Sequence, residues 1–140
     1  MNLYAESSAV LAWLVGEPDG EAVRSALSEA DRVVTSSLTA VECARSLGRA
    51  QREGRLTIAE ELAALRLLDV ALAGWNVHEL SDPVLTRARQ PFPVEPVRTL
   101  DALHLSTASL FREALGRVTV LSLDERIRRN AAVMGIDLVP

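Results

Sequence analysis

The feature that most constrains this chain is an alternation of short β-branched or apolar runs with longer stretches of helical spacing. LYA (3–5), RVVT (32–35), NVHEL (76–80), RVTVL (117–121) and DLV (137–139) read as strands. Between them the spacing predicts helices from Ser7 to Leu14, from Pro18 to Glu29, and from a Ser36 or Ser37 cap to Glu53. Further helices are predicted over 57–73, from Ser81 to Gln90, and from a Thr99 cap to Leu115. A last one is opened by Ser122 and Glu125 as an S-x-x-E capping box. Gly16, Gly54, Gly74, Gly116 and Gly135 stand where these helices must stop. Strands alternating with helices call for a parallel sheet covered on both faces, a three-layer α/β/α sandwich. The proline-rich PFPVEPVR (91–98) reads as an ordered loop, because proline fixes φ and removes donors.

The rest of the sequence is consistent with one domain over 1–140. It is 49% hydrophobic, with no repeat or linker, which is enough to bury a core. No apolar run approaches the ~20 residues that span a bilayer, and no basic segment precedes an apolar one near Met1, so neither membrane nor export is expected. Cys43 is the single cysteine; with two histidines it cannot build a four-ligand zinc site, and a reducing cytoplasm is the simplest setting. The net charge of −4 excludes binding nucleic acid by overall charge. All 15 basic residues are arginine, so a point-charge catalytic lysine is excluded too.

Four acids then stand out by position. Glu6 lies at the exit of the first strand, Asp124 just past the 117–121 strand, Asp101 at the start of the helix after the proline loop, and Glu42 within two turns of a helix start. In an open parallel sheet the strand exits share one edge, where ligands bind. Each acid also has an ordinary reading. Asp101 and Asp124 suit the helix dipole at position N2, and Glu42 shares a polar stripe with Arg45, Arg49 and Arg52 that reads as a solvated face. Asp101 resists its ordinary reading best. Its helix, TLDALHLSTASLF, is apolar almost all round, and a buried carboxylate needs a partner. His104 on that helix reads as a satisfied core histidine, with a ligand or base role the lesser option. Clustered carboxylates without lysine repel one another, and Mg²⁺ or Mn²⁺ is the natural remedy. Metal-assisted hydrolysis of a phosphodiester is the chemistry such a set can perform.

LYAESSAV, VTSSLTAVECARSL, RTLDALHLSTA and VTVLSLDERI, in this order and spacing, resemble the PIN-domain ribonucleases, in particular the VapC-type toxins of bacterial toxin–antitoxin pairs. The resemblance implies a PIN-like α/β/α fold and a homodimer. It also implies a Mg²⁺- or Mn²⁺-dependent endoribonuclease and a cognate VapB-type antitoxin occupying the acidic site. The family's acids fall on Glu6, Glu42, Asp101 and Asp124, with Ser8 and Ser122 as supporting hydroxyls. Glu6 and Asp101 are then expected to hold the metal directly, and Glu42 and Asp124 through water. Arg45, Arg49, Arg98, Arg126 and Arg129 are the candidates for gripping RNA. One position departs from the family, which has aspartate where this chain has Glu6. The longer arm puts catalytic efficiency in question, and the alternative is a PIN-fold protein that binds RNA or a partner with weak or lost cutting. A receiver domain would need an acidic pair after the first strand and a late lysine, and a haloacid-dehalogenase-like phosphatase needs D-x-D; neither pattern is present. Trp13 and Leu14 are candidate dimer contacts, with ordinary core the stronger reading.

Overall fold

The computed structural model describes residues 1–140. In chain order the elements are β1 (Asn2–Ala5), α1 (Ser7–Val15), α2 (Gly20–Glu29), β2 (Arg32–Ser36), α3 (Ser37–Arg52) and α4 (Ile58–Gly74). They continue with β3 (Asn76–His78), α5 (Asp82–Ala88), α6 (Thr99–Leu115), β4 (Thr119–Leu121), α7 (Glu125–Val133) and β5 (Asp137–Val139). All five strands pair in parallel, in the order β3-β2-β1-β4-β5. No helix is long and apolar enough to cross a membrane.

Alternation along β1 divides the core. Leu3 and Ala5 face a cluster built with Ala9, Val10 and Leu14 of α1, Val23 of α2, Cys43 and Leu47 of α3, and Ala64 and Leu68 of α4. Tyr4, one residue between them, faces the opposite cluster with Ala102, Leu105 and Ala108 of α6 and Ile127 and Ala131 of α7. Leu3, Tyr4 and Ala5 are all fully buried, the environment that an uninterrupted apolar strand requires. The three-layer sandwich is therefore the observed architecture. Leu14 is core, and the partly buried Trp13 packs on that cluster with its ring centroid 6.3 Å from that of Trp75.

Several expected boundaries shift, each for a local reason. Asp124, not Ser122, is the N-cap of α7: its Oδ1 accepts from the N–H groups of Arg126 and Ile127. The predicted capping box does not form because the Ser122 hydroxyl is turned to Glu6. The N-cap of α6 is Arg98, so Thr99 is the first helical residue and Asp101 stands at N3, where its carboxylate accepts from the Arg98 N–H. Ser36, whose Oγ accepts from the Leu38 N–H, caps α3. Residues 79–80 and 117–118 fall outside the strands, α5 ends at Ala88, and α2 opens at Gly20 rather than Pro18.

The sheet order places a switch point at β1. The chain steps outward from β1 through β2 to β3, then returns to pair β4 on the other side of β1. A crevice opens at the carboxyl ends of such a pair. Glu6 leaves one of these strands and Asp124 follows the other.

The α1–α2 turn is tight. A Cβ at Gly20 would lie 2.7 Å from the backbone oxygen of Ala12. Gly20→Ala is expected to destabilise the protein by about 1–3 kcal/mol, because backbone cannot yield and overpacking outweighs the gain in helix propensity. Urea unfolding that shows an unchanged or higher midpoint for this variant would contradict the close approach.

Candidate functional site

An open cleft of about 340 Å³ at the switch crevice is lined by Glu6, Ser7, Ser8, Leu11, Glu42, Cys43, Ser46, Arg98, Thr99, Leu100, Asp101 and Asp124. The four acids singled out from the sequence, drawn from β1–α1, α3, α6 and β4–α7, thus meet on one surface. Ser8 lies in the wall; Ser122 is fully buried behind it and reaches the site through Glu6. Of the candidate arginines, only Arg98 lines the cleft. Arg126 is near enough to act on the charge of Asp101, Arg45 and Arg49 lie exposed on α3, and Arg129 is paired with Glu125.

Each carboxylate is anchored by its own surroundings. Glu42 Oε1 accepts from the Ser7 hydroxyl at 2.7 Å and from His104 Nε2 at 2.5 Å. His104 Nδ1 in turn meets the Tyr4 hydroxyl at 2.8 Å. Burial holds the Tyr4 phenol well above its usual range, reinforced by the charges of Glu6 and Glu42, so Tyr4 keeps its proton. The Glu42 carboxylate only accepts, so His104 Nε2 is the donor toward it. Burial alone would push the Glu42 carboxyl up, but the donations from His104 and Ser7 and the charge interaction with His104 bring it below the usual range.

Asp124 spends Oδ1 on the first N–H groups of α7, and Asp101 spends Oδ2 on the Arg98 N–H at 3.3 Å. Asp101 is the least compensated of the four. Burial raises its pKa first and the charge of Asp124 second, against smaller opposing effects of the Arg98 N–H, Arg126 and Arg98. Cys43 also lines the cleft, but burial and the charges of Glu42 and Glu6 push its thiol up to about 12, so it is an inert wall residue.

Tyr4, Ser7 and His104 are the residues that sequence reading did not assign to the site. His104 is fully satisfied, as expected for a core histidine, yet its partner is a site carboxylate. The one available signal was a histidine three positions after Asp101, near one helical turn on. For Glu42 the solvated-face reading fails: its side chain is only 24% exposed and turns to Ser7 and His104.

No three His, Cys, Asp or Glu side chains converge closely enough to cage an ion by themselves. The donors nevertheless suit a hard divalent cation. They are carboxylate and hydroxyl oxygens, they lie in an open cleft with room for water, and Asp101 and Asp124 repel each other without a cation between them. Mg²⁺ keeps several waters and takes one or two carboxylates rather than a complete protein cage.

Comparison with known proteins agrees with the fold. The family model of the PIN domain matches residues 3–133. The chain is 33% identical over 137 residues to ribonuclease VapC46 of Mycobacterium tuberculosis (strain ATCC 25618 / H37Rv), covering 98% of this chain and 95% of that protein. It is 25% identical over 139 residues to ribonuclease VapC35 of the same species (strain CDC 1551 / Oshkosh), with the same coverage. Among solved structures, M. tuberculosis VapC20, a sarcin–ricin loop cleaving toxin, aligns with a TM-score of 0.67 at 13% identity over 99% of each chain. VapBC2 from Rickettsia felis, bound to a DNA fragment from its promoter, aligns at 0.68 and 12% identity over 99% of this chain and 97% of that one. At such identities the structural likeness speaks for the fold.

The Asp101 arrangement predicts a pH signature in metal-free protein. Its folded-state pKa is raised, so its ionisation costs stability that is intact below the ordinary aspartate pKa of ~3.9 and lost as pH rises through the folded value. Asp101→Asn keeps an acceptor for the Arg98 N–H and removes that cost. In EDTA the variant should match the parent at low pH and exceed it at neutral pH, as read by thermal melting. A variant less stable at neutral pH would contradict the uncompensated charge.

Proposed function

The chain belongs to the PIN-domain family, and from that membership we propose that it is a VapC-type endoribonuclease, dependent on Mg²⁺ or Mn²⁺ and restrained by a cognate VapB-type antitoxin. The observation that carries this reading is the meeting of Glu6, Glu42, Asp101 and Asp124, from four separate parts of the chain, in one cleft at the switch crevice. The full-length likeness to ribonuclease VapC46 supports it. A homodimer acting in the cytoplasm belongs to the same reading.

Asp101, Asp124 and Glu42 would hold the cation, directly or through water, with Glu6 behind them. When bound, the cation supplies charge neutralisation at the phosphodiester and lowers the pKa of water for attack. The residues of the chain do the rest. Glu42 is oriented by Ser7 and His104 so that its Oε1 is fixed and its Oε2 has no protein partner. It can accept the proton of an attacking water or hold that water in line. Arg98 at the cleft wall, and Arg126 beside Asp101, can take the phosphate oxygens of the strand. Arg45 and Arg49 on α3 would extend the contact. Arg129, already paired with Glu125, is the weakest of these candidates.

The alternative of a binding protein that no longer cuts rests on Glu6 in place of aspartate. The free oxygens on Glu42, Asp101 and Asp124 speak against it, because the donor set remains usable without Glu6.

The deciding experiment incubates purified protein, freed of antitoxin, with structured RNA and Mn²⁺ or Mg²⁺, beside Asp101→Asn. The parent should cut and the variant should lose at least about tenfold in rate. RNA binding should weaken steeply with salt, since capture depends on local arginines. Equal cutting by both proteins would sink the assignment of the site, and no cutting by either would favour the binding-only reading.

A further inference from the structure

We propose that Glu6 is a latch joining the exits of β1 and β4 rather than a cation ligand, so that Glu42, Asp101 and Asp124 bear the site's charge toward the cation. This rests on reading the cleft as a cation-dependent site.

The four acids differ in how many of their oxygens are engaged. A carboxylate oxygen has two lone pairs to offer. Glu42 fills Oε1 with Ser7 and His104, Asp124 fills Oδ1 with two α7 N–H groups, and Asp101 gives Oδ2 to the Arg98 N–H. In each of these three acids the second oxygen has no protein partner. Glu6 alone commits both. Its Oε1 accepts from the Ser8 N–H at 3.1 Å, and its Oε2 accepts from the Ser8 hydroxyl and from the Ser122 hydroxyl at 2.6 Å. It is also the most withdrawn of the four, at 4% exposure.

The two hydroxyls close the network. Ser8 Oγ donates its one proton to Glu6 and accepts from the N–H groups of Leu123 at 2.9 Å and Asp124 at 3.1 Å. Ser122 Oγ donates to Glu6 and accepts from the Asp124 N–H at 3.1 Å. Glu6 therefore bonds the start of α1 to the segment that carries Asp124, and every hydroxyl proton is spent. The extra methylene is the reason it can. Aspartate at this position would fall short by about one C–C bond, ~1.5 Å, and would have to choose between capping α1 and reaching Ser122. As a positioning residue Glu6 acts through Asp124, whose backbone N–H it fixes by way of two serines.

An amide cannot replace the carboxylate in either orientation. With the amide oxygen toward the serine hydroxyls, its NH₂ would face the Ser8 N–H; turned over, the NH₂ would face the Ser8 hydroxyl, whose two acceptor sites are taken, and both serine protons would lose the oxygen they donate to. Glu6→Gln is thus a clean break of the latch, and Ser122→Ala breaks it from the other end.

The test measures two quantities on the full chain without RNA: melting temperature in EDTA, and Mn²⁺ affinity by calorimetry. Glu6→Gln and Ser122→Ala should each lower the EDTA melting temperature by roughly 5 °C, and the double variant little further, because both remove one shared interaction. Mn²⁺ affinity should fall less than about threefold in Glu6→Gln and more than about tenfold in Asp101→Asn. Asp101→Asn should not lower the EDTA melting temperature. A Glu6→Gln protein that melts normally but loses Mn²⁺ as Asp101→Asn does would overturn the latch. So would additive losses from the two latch variants. If Glu6→Gln does not fold, Ser122→Ala alone decides, by a lowered melting temperature with Mn²⁺ binding kept or by its opposite. If the parent binds no Mn²⁺, the cation reading of the cleft fails, while the melting data still decide whether Glu6 latches the two strand exits.

Discussion

Carboxylates gathered at one edge of a parallel sheet repel one another, and the cleft holds its shape because each has donors of its own. Two unit charges 4 Å apart interact by about 4 kcal/mol near a protein surface, a large share of the net stability of a small domain. Here the donors are a helix N-terminus for Asp124, a backbone N–H for Asp101, a serine and a histidine for Glu42, and two serines and an N–H for Glu6. Each fixes an oxygen and leaves the cleft-facing chemistry to what remains. Asp101, with one long hydrogen bond, is the acid whose pKa rises. The least anchored carboxylate is thus the one with most to gain from a cation.

The fold supplies these donors through β1. Its alternation sends Leu3 and Ala5 into one core layer and Tyr4 into the other, and Tyr4 is the residue that carries core packing into the site. From its buried position it holds the His104 ring, and His104 orients Glu42 across the switch crevice. A side chain on the α6 face of the sheet therefore controls one on the α3 face. The route runs from Tyr4 of β1 through His104 of α6 to Glu42 of α3. The same edge brings Ser8 beside Leu123 and Asp124, more than a hundred residues apart in sequence.

What could be read from the sequence follows from which properties are local. Strand–helix alternation, the parallel sheet and the positions of the four acids depend on periodicity and on helix starts, and these were legible. The caps were not. Ser122-x-x-Glu125 has the pattern of a capping box, yet Ser122 turns to a carboxylate 116 residues away and Asp124 caps instead. Thr99 has the chemistry of a cap, but the preceding proline loop delivers Arg98 in extended conformation and starts the helix one residue earlier than a Thr99 cap would. Glu42 lies in a polar stripe with three arginines, and nothing nearby in sequence says that Ser7 and His104 wait opposite it. For Ser122 and Glu42 a long-range hydrogen bond outweighs a local preference worth about 1 kcal/mol.

The arginines can be ranked by the same reasoning. Overall charge is −4, so a polyanion reaching this cleft meets net repulsion and must be drawn in by local positive charge. An arginine already paired contributes little, which discounts Arg129 along with Arg24, Arg55 and Arg117. Arg98 adjoins the uncompensated Asp101 and lines the cleft, and Arg126 acts on the same carboxylate from the start of α7. These two can serve a phosphate and temper the acids at once. Arg45 and Arg49 lie exposed on α3, outside the cleft lining. Under the RNA-cutting reading, Arg98 and Arg126 should then govern the chemical step as well as binding, and the α3 pair binding alone.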